Sequence, residues 1–264
     1  MRLEFVKYHG AGNDFILMDG RNIKTELSTE NIARLCHRHF GIGADGLILL
    51  YPENADGIDY RMLYYNADGR ESSMCGNGAR CAFEYAVGLG LCGDEGRFIA
   101  YDGPHQGKFE TSGDVTISMG DVAGIRRTGK NTYVLNTGSP HLVRFVADIE
   151  TIDVFGEGRL VRNSAEFVRE GINVNFVEIL PDHALRIRTY ERGVEDITLA
   201  CGTGVTAAAL AFADRQGLAH AQVPVIADGG RLSVRFQRLD GRFAHVFLTG
   251  PVQRVFTGYT DLPD

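Results

Sequence analysis

Short apolar runs bounded by glycine, aspartate and asparagine dominate the hydrophobic pattern of the chain and predict strands punctuated by few helices. Strand composition marks Arg2–Tyr8, Phe15–Met18, Leu47–Tyr51, Asp59–Tyr65, Val115–Met119, Leu185–Tyr190 and Leu232–Phe236. Arg231–Phe236 and Arg242–Leu248 flank Asp240-Gly241, a hairpin turn signal. A helix is expected after Ser28 or Thr29, with Ile32, Leu35, Cys36 and His39 on one stripe. The two longest helical candidates begin just after Cys75 and just after Cys201, in SSMCGNGARC and TLACGTGVTA.

Those two stretches belong to a longer repetition. An offset of 126 residues carries Cys75 onto Cys201, and it also carries Gly12 onto Gly138, Gly76 onto Gly202, Gly78 onto Gly204 and Asp102-Gly103 onto Asp228-Gly229. The matches fall at turns, helix starts and strand ends in the same order. A tandem duplication is therefore expected: an α/β fold of α+β type in two pseudo-symmetric domains, 1–120 and 121–250. The tail 251–264 is expected to return to the first. Two such domains commonly face each other across a pseudo-two-fold axis, which would set Cys75 and Cys201 on opposite walls of one cleft.

Composition narrows the chemistry. A formal charge of −7 argues against a nucleic-acid partner. The basic cluster Arg126, Arg127 and Lys130 reads as a solvated loop. No apolar run approaches membrane-spanning length, and the charged, alternating start MRLEFVKY lacks the apolar core of a leader. Five cysteines without a disulfide spacing point to a reducing compartment, the cytoplasm. No Cys-x-x-Cys pair offers a zinc site, so no metal is expected. Cys36, Cys81 and Cys92 read as packing residues.

Cys75 and Cys201 are different. A helix start presents unpaired N–H groups and a partial positive charge, which bind anions and lower the pKa of a thiol. Glycine at 76 and 202 removes the Cβ that would block a close approach. Two such starts aimed at one carboxylate would stabilise charge spreading onto it as the adjacent carbon loses a proton. A thiolate on one face and a thiol on the other would then invert that carbon, the two exchanging roles in the reverse direction.

At these residues the sequence resembles the diaminopimelate epimerases. The marks are KYHGAGNDFILMDG (7–20), YYNADGRESSMCGNGARC (64–81), SPH (139–141), INVNF (172–176) and YERGVEDITLACGTG (190–204). The resemblance implies two matching domains, each a curved sheet round a central helix, and interconversion of LL- and meso-2,6-diaminopimelate without pyridoxal phosphate or any other cofactor. It implies Cys201 as proton acceptor and Cys75 as donor in the LL-to-meso direction, assisted by His141 and Glu191. The backbone at Gly76-Asn77 and Gly202-Thr203 would hold the reacting carboxylate. Asn13, Asn66, Asn173, Glu191 and Arg192 would read the distal amino-acid end. Lysine and cell-wall precursor synthesis, with diaminopimelate as the small-molecule partner, and a homodimer are implied as well.

The chain departs from the family pattern where some members carry glutamine in place of Gly46 and asparagine in place of Ser139. Two other classes compete: an epimerase of a cyclic imino acid, which needs less of the Asn/Arg/Glu set, and a non-catalytic carboxylate binder. The binder makes no demand for sulfur at both positions.

Overall fold

The computed structural model describes residues 2–24, 26–53, 55 and 57–261. The chain forms two compact units, residues 1–117 with 251–264, and residues 118–250. In the first, Arg2–Gly10 pairs antiparallel with Asn13–Asp19, which runs parallel to Gly46–Pro52. That strand is antiparallel to Tyr60–Asn66, which is parallel to Glu95–Ala100. Gly103–Phe109 and Val115–Ser118 extend the sheet antiparallel. Gln253–Asp261 pairs antiparallel with the other side of Arg2–Gly10, and the last three residues of the chain lie outside the described ones.

The second unit repeats this order of senses. Thr132–Asn136 is antiparallel to Pro140–Val146, then parallel to Asn173–Ile179, antiparallel to Leu185–Glu191 and parallel to His220–Ala227. Gly230–Leu239 and Arg242–Gly250 follow antiparallel. The topology of the chain is thus duplicated, in a mixed α+β fold with few helices. The offset drifts, however. Ladder-end pairs Ala100↔Gly103 and Ala227↔Gly230 make Gly230 the counterpart of Gly103, in place of Gly229. Both glycines have positive φ, 121° and 154°, which closes each two-residue turn.

Each parallel crossover carries a helix: α1 (Thr29–Cys36) and α2 (Gly76–Gly88) in the first unit, α3 (Val154–Arg162) and α4 (Gly202–Gln216) in the second. Ser28 caps α1 by accepting from the Asn31 N–H at 3.2 Å. Ile32, Leu35 and Cys36 form its buried stripe. His39 does not join them: the helix ends at Cys36 and His39 is exposed beyond it. In α2 and α4 small residues let strands approach from several sides, and burial runs round most of the helix surface. A Cβ on Gly78 would meet Ile48 Cδ1 at 3.1 Å and Phe15 Cε1 at 3.3 Å, so glycine there sets how closely α2 lies on its sheet.

The basic cluster is a correction. Arg126–Gly129 forms an exposed edge strand instead of a loop, with Arg126 bonded to Glu166 at 2.7 Å and Arg127 to Asp214 at 2.9 Å. Helix α3 gave no sequence signal because glycines at 156 and 158 interrupt it. It stands with Asp153 as cap, accepting from the Gly156 N–H at 2.9 Å, and Gly158 allows Tyr190 to pack against it, since a Cβ there would lie 2.5 Å from Tyr190 Cβ.

Candidate active site

In each unit a cysteine is the N-cap of the buried helix. Cys75 (φ −98°, ψ 122°) precedes α2, and Cys201 (φ −109°, ψ 111°) precedes α4. Both backbones are extended, and neither sulfur caps the N–H groups of its own helix. The carbonyls of Cys75 and Cys201 accept the first helical bonds, from Ala79 at 2.7 Å and Val205 at 2.8 Å. Each sulfur thus stands at the positive end of a helix dipole.

Around Cys75 the polar groups form a chain. Its Sγ donates to Asn13 Oδ1 at 3.6 Å, and Asn77 Nδ2 donates to the same oxygen at 3.3 Å. Asn13 Nδ2 donates to Asp45 Oδ2 at 2.6 Å, while Asn77 Oδ1 accepts from Arg80 Nη2 at 2.9 Å. Arg80 is wholly buried, and burial pushes its guanidinium pKa down from the ordinary value. Gly10 makes room for this first turn: a Cβ there would lie 2.9 Å from Asn77 O and 3.3 Å from Arg80 Nη2. Asp14 anchors the strand beneath through ion pairs with Lys7 at 2.6 Å and Arg38 at 2.8 Å. Burial alone would raise the Asp14 carboxyl, but hydrogen bonds from Arg38 and Lys7 outweigh it and hold it well below the usual carboxylate range.

Asn66 lies apart from that chain, exposed at the end of its strand and paired in register with Gly46. Gly46 itself has no room for a side chain, because a Cβ would come within 2.5 Å of Tyr64 Cε2 and 2.6 Å of Tyr65 O.

Around Cys201 the network is denser. Thr203 Oγ1 lies 3.4 Å from Cys201 Sγ and 2.9 Å from His141 Nε2, and Thr137 Oγ1 donates to the Thr203 carbonyl at 2.8 Å. His141 is fully buried; burial, reinforced by the charge of Arg192, pushes its pKa down to about 3, so the ring is neutral. Asn173 pairs with it across the parallel ladder and donates to Ser139 Oγ at 3.0 Å and Pro140 O at 3.2 Å. Asn173 Oδ1 accepts from the Arg192 backbone N–H at 2.8 Å, and the Arg192 guanidinium reaches Ser139 Oγ at 3.3 Å and Glu170 O at 2.8 Å. Glu191 Oε2 accepts from Thr198 Oγ1 at 2.8 Å.

The structure therefore brings together Cys75, Asn13, Asn77 and Gly76 in one unit, and Cys201, Gly202, Thr203, His141, Asn173 and Arg192 in the other. Sequence reasoning missed Asp45, Arg80, Asn175 and Thr189. A signal for Asn175 was present in INVNF: residues two apart share a strand face, so Asn175 points the same way as Asn173. Thr189 sits directly opposite Asn175 in the antiparallel ladder. Arg80 shares a helix face with Asn77, three residues back. Among the described residues no cluster of His, Cys, Asp and Glu is arranged to hold a metal ion, and no helix is long and apolar enough to cross a membrane.

Comparisons with known proteins agree along the whole length. The sequence profile of the family described as diaminopimelate epimerase matches residues 5–124 and 133–255. The diaminopimelate epimerase of Flavobacterium psychrophilum is 42% identical over 255 residues, covering 96% of this chain and 98% of that protein. Among solved structures, a phenazine biosynthesis protein of the PhzF family from Bacillus anthracis superposes with a TM-score of 0.78 at 12% identity, covering 99% of this chain and 100% of that one. A hydroxyproline epimerase from Agrobacterium vitis, with bound trans-4-hydroxy-L-proline, gives 0.70 at 15% identity, covering 100% and 93%. At such identities the structural likeness concerns the fold.

Proposed function

The chain belongs to the diaminopimelate epimerase family, and we propose that it performs the family's inversion with two thiols, Cys75 and Cys201, and without a cofactor. The activity is that of an isomerase, interconverting LL- and meso-2,6-diaminopimelate on the route to lysine. In the LL-to-meso direction the Cys201 thiolate takes the α-proton and becomes a thiol. The electron pair left on carbon spreads into the adjacent carboxylate. The Cys75 thiol then delivers its proton from the opposite face and becomes the thiolate. The reverse reaction exchanges the roles.

The carboxylate is held by backbone N–H groups at Gly76-Asn77 and Gly202-Thr203. Each helix dipole contributes about 0.3–1 kcal/mol when exposed and up to about 2 when partly buried. Enzymic rate enhancements commonly require about 8 kcal/mol or more. Positioning and exclusion of water must therefore supply most of the stabilisation. Asn13, Asn66, Asn173, Glu191 and Arg192 read the distal end, where Arg192 can grip a carboxylate with its forked guanidinium and Glu191 can accept from an ammonium. A homodimer in the cytoplasm completes this reading, supported by the family resemblance.

The observation that carries the proposal is the recurrence, in both units, of an extended cysteine capping a buried helix with glycine at its first position. The test is incubation with LL-diaminopimelate in D2O without pyridoxal phosphate or added metal. Deuterium is expected at the inverted carbon and not at the distal one. Inversion undiminished in both Cys75→Ala and Cys201→Ala variants excludes the mechanism, and inversion of a cyclic imino acid in place of diaminopimelate excludes the substrate.

A further inference from the structure

We propose that Asn175 is a positioning residue that holds His141 in its Nε2–H tautomer and thereby turns the Thr203 hydroxyl toward Cys201 as a hydrogen-bond donor. The inference deepens the reading of Cys201 as the proton acceptor and rests on it.

The orientation of the Asn175 amide is forced. Its Nδ2 lies 2.9 Å from the carbonyl oxygen of Leu142, which can only accept. Its Oδ1 accepts from Thr189 Oγ1 at 2.9 Å. The NH2 group therefore also faces His141 Nδ1, at 3.1 Å, and an amide NH2 can only donate. Nδ1 must be the unprotonated nitrogen. Because burial keeps the ring neutral, its one proton is on Nε2. Nε2 lies 2.9 Å from Thr203 Oγ1 and donates to it. Asn173 Nδ2, 3.5 Å from Nε2, has its two protons engaged by Ser139 and Pro140.

With its oxygen accepting from His141, the Thr203 hydroxyl directs its own proton to Cys201 Sγ at 3.4 Å. A donor aimed at sulfur favours the thiolate over the thiol. The relay thus runs one way, from Thr189 to Asn175, and from Asn175 through His141 and Thr203 to Cys201. The charge bearing on the ring is that of Arg192, in the turn after the strand Leu185–Glu191, where Glu191 is engaged by Thr198. The strand Asn173–Ile179 presents the neutral amides Asn173 and Asn175, and α4 presents Thr203. The helix rests directly on the positioning amide: a Cβ on Gly204 would lie 2.5 Å from Asn175 Oδ1.

Two measurements test this without substrate. The first is two-bond 1H–15N correlation spectroscopy of the wild-type protein labelled with 15N-histidine, with His141→Gln used only to assign the resonance. A neutral Nε2–H pattern is expected throughout about pH 5 to 9. An Nδ1–H pattern, or an imidazolium, in that range overturns the proposal. The second is the pH dependence of iodoacetamide labelling at each cysteine, read by peptide mapping. Asn175→Asp, whose carboxylate accepts a proton from Nδ1, is expected to switch the tautomer and slow Cys201 labelling near pH 7 about tenfold, one pKa unit. Cys75 labelling should stay unchanged. Thr203→Val should slow Cys201 in the same way and Thr203→Ser should restore it, which keeps the test decisive if the buried Asn175 variant does not fold. A Cys201 profile unmoved by Thr203→Val overturns the proposal. Neither readout involves turnover, so a protein that shows the expected tautomer and labelling but fails to invert diaminopimelate refutes the two-thiol function and leaves this relay standing.

Discussion

Cys75 faces, 3.6 Å away, an Asn13 oxygen that can only accept a hydrogen bond. The amide cannot turn its nitrogen there, because that nitrogen is held by the Asp45 carboxylate at 2.6 Å. The first unit therefore presents an acceptor to its sulfur, which favours the thiol over the thiolate.

Asp45→Asn tests that relationship. The substitution removes both a nearby negative charge and the obligatory acceptor that orients Asn13, and both changes favour the Cys75 thiolate. Iodoacetamide labelling of Cys75 near pH 7 should accelerate by about threefold to tenfold, with Cys201 unaffected. An unchanged Cys75 rate would show that Asp45 does not govern the sulfur.

His141 makes folding sensitive to mild acid. Its ordinary pKa of 6.5 is pushed down to about 3 in the fold, first by burial and then by Arg192. Between those values the unfolded chain binds a proton that the folded chain does not. Stability from this residue is full above about pH 6.5 and declines as pH falls toward 3, by an amount on the order of a few kcal/mol. Urea unfolding of the wild type at pH 7 and pH 5 should show the loss, and His141→Gln should flatten it. The depressed Asp14 carboxyl acts in a lower window, where unfolded carboxylates begin to protonate.

Gly46→Gln installs the residue that the family resemblance implies for some members, but the strand has no space for it. The new Cβ would press on Tyr64 and on the Tyr65 carbonyl. The expected result is a loss of about 1–3 kcal/mol in unfolding free energy, with no gain in substrate affinity. A stable variant with lower KM would overturn this account of the departure.

Oxidation should discriminate among the cysteines. Burial raises the Cys36 thiol to about 12 and the Cys92 thiol to about 11, and lifts Cys81 still further above its ordinary value. Mild peroxide should spare Cys36 and Cys81. Cys75 and Cys201, each at the positive end of a helix dipole, are expected to be oxidised first, each thiol taking one oxygen from peroxide to give a sulfenic acid and water. Peptide mapping that finds Cys36 or Cys81 oxidised ahead of them overturns this order.

The chain announces its duplicated order, its helix starts and its two cysteines because these depend on local chemistry. Glycine beside cysteine, alternating strands and the Asp240-Gly241 turn act over a few residues, and the turn indeed closes Leu239↔Arg242 with positive φ at both central positions. Helix α3 escaped that reading because its stability comes from a cap and from Tyr190, not from propensity. Whether His39 would join the stripe of α1 depended on where the helix ended, and the chain turns away after Cys36.

The sequence by itself determined which residues could carry acid–base chemistry and the order of the elements that bear them. Only the tertiary structure decided how those residues are oriented. Asp45, Asn175 and Thr189 join residues beside the sulfurs through hydrogen bonds between segments far apart in the chain, and Arg80 does so through Asn77 on its own helix. Such bonds have a direction, and an amide takes its direction from the buried partner that leaves it no other choice.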